Sequence, residues 1–385
     1  MKALLNGRII LPNQIVDDMA LIFDDKIVGI MPNDKAAQLE NCEFIDAAGK
    51  YVSPGLIDKH IHGYLGEEAA EGDPDGIYKM AQGILANGVT SWLPTTMTVA
   101  KTQIEKALCT IRELKQKSLG PKEEWCGAQV LGANVEGPFI NPAKKGAQAE
   151  EHIIPPDAAF VKKYADVIKV ITIAPEMDKD FECIKELSRD TDVLLSIGHT
   201  GADYDTAVAS VKAGMSHITH LFNAMTGLQH RSPGVVGAAL STDVSVEIIA
   251  DTFHIHPGLY SIIDKIKGNK MILITDCVRA GGLADGEYTL GGQKILVNGI
   301  ECRLEDGTIA GSVLRFNQAV KNVRDHTDMP LWKIVAAASF NPAVAIGMGD
   351  SKGSLETGKD ADIIVTDEDF NVEKTFVRGT LYYSK

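Results

Sequence analysis

The stretch VLLSIGHTGADYDTAVASVKAGMSHITHLFN, residues 193–223, decides the fold because it contains a complete strand–helix–strand unit. The apolar runs VLLSIGHT and HITHLFN predict buried strands, and segment 203–214 between them is long enough for a helix. Strands joined through a helix run parallel in one sheet. The two runs carry His199 and His220 near their ends, so the unit predicts a parallel α/β fold with imidazoles at the strand ends.

The same alternation extends from about Gly55 to Asp276. Eight runs in this region are strand candidates: LIDKHIH, TSWLPT, QVLGANVEG, IKVITIAPE, VLLSIGHT, HITHLFN, SVEIIAD and MILITD. The segments between them, such as 99–117, can hold helices. Eight strands with intervening helices predict an α/β fold, a closed TIM-type (β/α)8 barrel, for residues 54–349.

Both chain ends read as short strands separated by turns, from KALLNGRII at the start to KTFVRGTLYY at the finish. Neither end is long enough to bury a β face alone. We therefore expect residues 1–53 and 350–385 to combine into one small β-sandwich domain, with the barrel inserted between them. Turn signals between Ala280 and Gly307 predict a loop and hairpins that decorate the active-site face of the barrel.

Composition restricts the class of protein. The chain has 385 residues, 45% of them hydrophobic, and a net charge of -14, which disfavours binding to nucleic acid. No run approaches the length of a membrane helix, and the first residues do not resemble a signal peptide. The six scattered cysteines suit reduced thiols, so we expect a cytoplasmic protein without a membrane partner.

Polar residues end nearly every predicted strand. In a parallel barrel these ends meet at the carboxyl face, where barrel enzymes place their chemistry. The residues in question are His60, His62, Glu136, Glu176, His199, His220, Asp251 and Asp276. The sequence therefore predicts one cluster of potential ligands and bases at the barrel mouth.

The histidines and Glu136 form a candidate metal site. Side chains at positions i and i+2 of a strand face the same way, so His60 and His62 can share one divalent ion. Glu136, His199 and His220 are a ligand set suited to Zn2+ or Fe2+. The alternative, three polar core residues that are bonded independently, requires a coincidence of strand ends.

Asp276 ends an apolar run, which has no reason to contain a carboxylate unless it acts at the rim. It is the candidate general base and acid, the alternative being a cap for the following loop. Arg231 and His254 are candidate substrate contacts that could equally be surface residues. His217 is expected to be a packing residue or a support for the site, with its side chain on the other face of the strand from His220, and Glu176 is either a core hydrogen-bonding residue or a support for the site.

Eight sequence segments occur in order over nearly the whole chain: PGLIDKHIHG, VEGPFINPAKKGA, SIGHT, THLFNAMTGLQHRSPG, IADTFH, ILITD, IAGS and GSLETGKDADIIV. Together they resemble the N-acetylglucosamine-6-phosphate deacetylase family of the amidohydrolase superfamily. The resemblance implies removal of the acetyl group from an amino-sugar 6-phosphate, with one or two divalent ions as cofactor. It also implies a homodimer in which Arg231 serves the neighbouring active site.

Carried over position by position, the resemblance implies that Glu136, His199 and His220 hold the principal metal and that Asp276 is the acid/base residue, with His254 polarising the carbonyl. The residues expected to bind substrate are Ala147, Gln148, Asn223, Ala224, Arg231, Asp251, His254, Ile309, Ala310 and Gly311. Two departures affect the site. Some members replace His60 and His62, which are present here, and the family usually has a histidine in place of Gln148.

Three alternatives remain at this stage. Deacetylases of the galacto epimer, N-acetylgalactosamine 6-phosphate, share segments such as SWLPTT and MTGLQHRSPG. A cyclic-amide hydrolase of the dihydroorotase or hydantoinase kind shares the barrel and the HxH pair but bridges its metals with a carboxylated lysine. A barrel retained only for assembly would lack the ligands that this chain keeps.

Overall fold

The computed structural model describes residues 1–122 and 124–385, and a parallel barrel forms its centre. Eight strands follow one another in the barrel in chain order, and all adjacent pairs are parallel. They are Leu56–Ile61, Val89–Thr96, Ala133–Glu136, Ile168–Ile173, Leu194–Ile197, His217–Ile218, Ser245–Ile249 and Met271–Ile274. Seven fall within a predicted run and Val89–Thr96 extends the run TSWLPT by one residue at each end, so the predicted barrel is confirmed.

The barrel closes just beyond the end of its last strand. Asp276 donates its backbone N–H to the carbonyl of His60 at 2.9 Å, and His62 donates to the carbonyl of Cys277 at 2.9 Å. Ile61 and Cys277 form a parallel bridge. The first and last strands therefore meet beside His60 and Asp276, and this junction brings the two ends of the barrel sequence into one site.

Helices surround the barrel strands and cover their outer faces, except the short helix Asn33–Ala36, which packs on the strands of the first 32 residues. They are Asn33–Ala36, Pro74–Gly83, Lys101–Leu119, Ala158–Lys163, Glu182–Asp190, Tyr204–Ala213, Gly234–Ser241, Tyr260–Lys267, Phe316–Asp325, Leu331–Ala338 and Phe340–Ala345. The helix Lys101–Leu119 buries Ile104, Leu108 and Ile111, which recur at helical spacing. The side chain of Asp203 begins the helix Tyr204–Ala213 by accepting from the backbone N–H of Thr206.

The two chain ends form a separate mixed sheet, as expected. Its strands are Lys2–Leu11, Gln14–Phe23, Ile27–Pro32, Glu43–Asp46, Tyr51–Pro54, Ile363–Thr366, Val372–Val377 and Thr380–Ser384. Phe23 and Phe376, from distant strands of this sheet, pack edge to face at 5.6 Å, so the sheet curls over a core of its own. The division at residues 53/54 and 349/350 stays a prediction.

A three-stranded antiparallel sheet follows the barrel, with strands Gly286–Leu290, Gln293–Asn298 and Glu301–Leu304. Gly291 and Gly292 form the first turn with φ values of 55° and 84°, which glycine adopts without strain. Gln293 donates to the carbonyl of Ala147 at 2.6 Å, so this sheet lies over the barrel mouth as predicted. Among the helices of the described residues, none combines the length and apolarity needed to cross a membrane.

Candidate metal centre and active site

Six side chains meet at the carboxyl face of the barrel in two groups of three. One ligand atom from each of Glu136, His199 and His220 lies within 4.8 Å of the others, and the same holds for His60, His62 and Asp276. All six residues are buried. The structure thus brings together the side chains that the strand ends predicted, although they come from five different strands or strand ends.

Glu136 belongs to the first group and also faces the histidines of the second. Its Oε1 atom is 2.9 Å from Nε2 of His220, and it is 3.3 Å from Nε2 of both His199 and His60. Its Oε2 atom is 3.1 Å from Nε2 of His62. Asp276 faces the same space, with Oδ1 3.4 Å from Nε2 of His60 and 3.2 Å from Nε2 of His62. One carboxylate can therefore contact ions in both groups.

The backbone turns sharply where these side chains leave their strands. His199, His220 and Asp276 have φ values of 46°, 29° and 51°, in the left-handed region that non-glycine residues seldom adopt. Each such residue costs about 1–3 kcal/mol, and this kind of strain is concentrated at functional sites. Gly137 follows Glu136 at φ 81°, and a Cβ there would lie 2.0 Å from Oγ1 of Thr98. The strand end therefore requires glycine directly after the carboxylate.

Neighbouring groups fix the orientation of the ligand side chains. His199 donates from Nδ1 to the backbone carbonyl of Lys144 at 2.9 Å, which leaves the Nε2 lone pair directed at Glu136. Gln148 donates from Nε2 to Oε2 of Glu136 at 2.6 Å, and its Oε1 accepts from the backbone N–H of Thr98 at 2.7 Å. The ring and the carboxylate are therefore held in place by the protein itself.

The buried carboxylates of the site favour positive charge beside them, either on the histidine rings or on a bound cation. Burial lowers the pKa of His62, but Asp276 and Glu136 more than offset it and raise this pKa to about 9. Burial raises the pKa of Glu136, yet His60 and His199 bring it well below its ordinary range. Burial also raises the pKa of Asp276, but His60 and His62 outweigh this effect and lower it below its ordinary value. Both carboxylates are ionised and attract cations.

The side chains present fit a divalent metal. Carboxylate oxygens and imidazole Nε2 atoms face one another here, an arrangement that needs a shared positive charge, which a metal ion would supply in place of the ring protons. Within the described residues, Nδ1 of His220 is buried without a hydrogen-bond partner, so the polar contacts of the ring are those of Nε2 with Glu136 and with Nε2 of His199. Nitrogen and oxygen donors in this ratio suit Zn2+ and other first-row divalent ions.

A cavity of about 350 Å3 opens above these ligands. Most of the residues expected to bind substrate line it: Ala147, Gln148, Asn223, Ala224, His254, Ile309 and Gly311. Met97, Leu290 and Thr308 line it as well, and sequence reasoning did not name them. Leu290 and Thr308 lie in or beside the added three-stranded sheet, where no strand end marks them.

Three of the predicted substrate residues lie outside the lining of the cavity in the described chain. Asp251 lies beside His254, and its Oδ2 atom accepts from Nδ1 of that ring at 2.6 Å. Ala310 is fully buried between two lining residues and donates its backbone N–H to the carbonyl of Cys302. Arg231 lies on an exposed loop and makes no ion pair within the described residues. Direct contact of these residues with substrate stays a prediction.

His217 supports the site, which was one of its two predicted roles, but its side chain does not lie on the opposite face, and this part of the prediction was wrong. Its Nε2 atom lies 2.7 Å from Nζ of Lys59 and 3.2 Å from Oε1 of Glu247, in the barrel interior. The prediction was wrong because the strand ends at Ile218, so the alternation of faces stops before His220. Burial and the Lys59 ammonium together lower the pKa of His217 to about 4, so this ring is neutral.

Lys59 and Glu247 were missed as parts of the site. Both are fully buried and form an ion pair beneath the histidines. Glu247 interrupts the apolar run SVEIIAD, so the argument applied to Asp276 could have identified it. Glu176 accepts from Thr200, Gly201 and Asn141, which identifies it as a support for the loop that follows His199.

The fold and the ligand geometry define a metal-dependent barrel hydrolase, and comparison with known proteins agrees. The amidohydrolase family model matches residues 51–382. The chain belongs to the amidohydrolase family.

Within that family the chain is similar to deacetylases of amino-sugar phosphates. It is 37% identical over 381 residues to the N-acetylglucosamine-6-phosphate deacetylase of Bacillus subtilis (strain 168), which covers 97% of this chain and 95% of the relative. It is 35% identical over 335 residues to the N-acetylgalactosamine-6-phosphate deacetylase of Escherichia coli O157:H7, with 86% and 87% covered.

A solved structure extends the similarity to the whole fold. A variant of the N-acetyl-D-glucosamine-6-phosphate deacetylase from Mycobacterium smegmatis, in complex with N-acetyl-D-glucosamine-6-phosphate, superposes with a TM-score of 0.90 at 27% identity. The match covers 100% of this chain and 99% of that one. Barrel and terminal sheet therefore occur together in that structure as they do here.

Proposed function

We propose that this enzyme hydrolyses the acetamido group of N-acetyl-D-glucosamine 6-phosphate to D-glucosamine 6-phosphate and acetate, in amino-sugar catabolism. The observation that carries the proposal is Glu136 set between two imidazole groups on the floor of a cavity. Chains similar over nearly their whole length are deacetylases of this substrate class.

The metal ligands follow from the contacts of Glu136. Glu136, His199 and His220 would hold the principal ion, and His60 and His62 would hold a second one that shares Glu136. The nitrogen-rich donor set supports Zn2+ as the ion, with Fe2+ next. A divalent ion bound there supplies Lewis-acid polarisation of the amide carbonyl and makes water nucleophilic near neutral pH.

Asp276 is the proton carrier of the reaction. Its carboxylate is ionised and faces the ligands, so Oδ1 can take the proton of a water that attacks the acetamido carbon. The new C–O bond forms as the carbonyl π electrons move to oxygen. Asp276 then returns the proton to the sugar nitrogen as the C–N bond breaks, since an amine leaves poorly without it. Acetate and the amino-sugar phosphate are the products.

His254 is placed to stabilise the carbonyl oxygen in the transition state. It lines the cavity, and Asp251 accepts from its Nδ1 atom, which directs Nε2 into the open space. Because Nδ1–H of His254 donates to Asp251, Nε2–H is the group left to donate to substrate when both ring nitrogens are protonated. The pair is buried, so water competes little for this contact.

Substrate recognition combines the cavity wall with a second subunit. Ala147, Gln148, Asn223, Ala224 and the segment 309–311 surround the space for the sugar. Arg231, exposed and without an ion pair within the described residues, would reach the phosphate in the neighbouring subunit of a homodimer.

The free state of all six cysteines supports a reducing, cytoplasmic location.

The galacto epimer is the second candidate substrate. The similarity to a relative named N-acetylgalactosamine-6-phosphate deacetylase, at 35% identity, favours this alternative specifically. The two sugars differ at one hydroxyl, and a site that hydrogen-bonds that group can discriminate strongly between them. A cyclic-amide substrate is more remote. Such enzymes use a carboxylated lysine between their metals, whereas here Glu136 faces both histidine groups and Lys59 forms an ion pair with Glu247.

Acetate release tests the proposal. Protein with measured metal content is incubated with both N-acetylhexosamine 6-phosphates and with their unphosphorylated forms. We expect release from the gluco 6-phosphate above all, and little without phosphate. Absence of release from all four compounds by metal-loaded protein would refute the function, and faster release from the galacto compound would reassign the epimer.

A further inference from the structure

A layer of polar residues lies inside the barrel directly beneath the two histidine groups, and Glu247 is its centre. Oε2 of Glu247 accepts from Nδ1 of His60 at 2.9 Å and from the backbone N–H of His220 at 3.0 Å. His60 belongs to one ligand group and His220 to the other. One carboxylate oxygen therefore contacts both halves of the metal centre from below.

The other oxygen of Glu247 is held just as firmly. Oε1 accepts from the ammonium of Lys59, which also donates to Nε2 of His217 at 2.7 Å. His217 in turn donates from Nδ1 to Oγ of Ser245 at 2.6 Å. Lys59 and Glu247 have no exposed side-chain surface, and their opposite charges compensate each other. With both oxygens engaged, the carboxylate cannot rotate away from the ligands.

These contacts determine how the two histidines are presented. A carboxylate at Nδ1 of His60 keeps the proton on that nitrogen, so the Nε2 lone pair faces Glu136 and Asp276. His220 has a φ of 29°, and a hydrogen bond to its backbone N–H anchors this strained turn. Loss of Glu247 would remove the hydrogen bond that orients the ring of His60 and the one that anchors the backbone of His220.

We propose that Glu247, with Lys59 as its counter-ion, is a positioning residue that holds His60 and His220 in one arrangement and so preorganises both ion positions. The inference rests on the metal-dependent function proposed above. It goes beyond that function because it assigns a role to a pair that touches neither the cavity nor a substrate.

The test compares E247Q with the parent protein and with a matched control. Asp362 is also a buried carboxylate paired with a buried lysine, Lys352, but it lies between the barrel and the terminal sheet. Metal-free E247Q, D362N and parent are titrated with Co2+, and affinity, stoichiometry and the visible absorption of bound Co2+ are recorded. We expect E247Q to bind about 10- to 100-fold more weakly with an altered spectrum, whereas D362N keeps the parent values.

A second variant keeps the test valid if E247Q does not fold. K59M/E247M removes both charges together and leaves no unpaired buried ion, so it is expected to fold. Folding is checked by thermal unfolding of the metal-free proteins, and the Co2+ titration is repeated.

The outcomes separate this inference from the proposed function. Parent-like Co2+ affinity and spectrum in folded E247Q or in K59M/E247M overturn the role of Glu247 and leave the deacetylase proposal intact. If the variants bind Co2+ more weakly, and the parent binds metal but releases no acetate, the positioning role of Glu247 is supported and the proposed deacetylase reaction is overturned. A parent chain that binds no divalent ion overturns both.

Discussion

Nε2 of Gln148 lies 2.6 Å from Oε2 of Glu136, and Oε1 of the same amide lies 2.7 Å from the backbone nitrogen of Thr98. The side chain is therefore a bridge between a loop and the carboxylate that both histidine groups contact. A donor to one oxygen of Glu136 fixes the carboxylate plane. The role of Gln148 in the site thus includes the support of Glu136, a candidate metal ligand.

Replacement of Gln148 by leucine tests this bridge. Q148L removes the donor to Glu136 and leaves the Thr98 N–H buried without a partner, so we expect roughly tenfold weaker Zn2+ binding and a lower Tm. Zn2+ affinity is measured by competition with a chelating dye. Q103L is the control, because Gln103 donates from a partly buried amide to the carbonyl of Ala70, away from the site. Equal Zn2+ affinity in Q148L and Q103L would argue against the bridge.

The barrel and its ligand cluster were predictable because both depend on local pattern. Parallel strands buried on both faces appear as continuous apolar runs, and polar residues at their ends must converge at one face. Glu136, His199, His220 and Asp276 all follow that rule. The number of strands and the end of the barrel at which the candidate site lies could therefore be predicted from the sequence alone.

Contacts that cross the barrel were not predictable in the same way. Lys59 and Glu247 meet across 188 positions of sequence, and the strand that carries Lys59 is irregular between Asp58 and Ile61. The face of each residue there does not follow simple alternation. His217 was assigned to the wrong face for a related reason, since its strand is two residues long. Loop paths, such as the one that brings Gln148 to Glu136, leave no periodic signal.

Substitution of Asp276 by asparagine separates proton transfer from metal binding. D276N keeps the shape of the side chain but cannot take a proton from water, so we expect kcat to fall about 10^2- to 10^4-fold. Glu136, His199 and His220 are untouched, so at least one equivalent of metal should remain. Acetate release and metal content are measured on the same sample. A D276N enzyme with full turnover would remove Asp276 from the mechanism.

The pair formed by Asp251 and His254 gives a third prediction. D251N replaces the acceptor at Nδ1 of His254 by an amide, so the ring is no longer held in its donating form. We expect kcat to fall at least about tenfold with little change in KM, because the contact proposed for His254 stabilises the transition state and not the bound substrate. H256Q is the matched control, since His256 is exposed and caps the neighbouring turn at Gly258. A fall of the same size in both variants would indicate a general effect on this loop.

The buried neutral ring of His217 predicts acid sensitivity. Its pKa is about 4 in the folded protein, and a histidine in an unfolded chain has a pKa of about 6.5. Between these values the unfolded state binds more protons, so the contribution of this ring to the free energy of unfolding is present above about pH 6.5 and is lost as the pH falls toward 4. We therefore expect parent stability to fall more steeply than that of H217Q over this range.

Urea unfolding of metal-free parent and H217Q at several pH values measures the difference. Glutamine keeps an acceptor for the ammonium of Lys59 but does not titrate, so the two curves should differ in slope by up to one proton. The nearby groups Lys59, Glu247, Ser245 and His60 are present in both proteins. Parallel curves would show that His217 titrates equally in the folded and unfolded states.

Arg231 tests whether the active site is shared between subunits. R231Q removes a guanidinium from an exposed loop, so we expect KM for the 6-phosphate substrate to rise while turnover of the unphosphorylated sugar is unchanged. If the phosphate contact crosses the subunit boundary, a mixed dimer of R231Q and D276N contains one intact site, because the D276N subunit donates Arg231 to the R231Q subunit. Acetate release by the co-expressed pair at low substrate concentration should then exceed that of either variant alone. Activity equal to the average of the two separate variants, with mixed dimers shown to be present, would place Arg231 in its own subunit's site or outside any site.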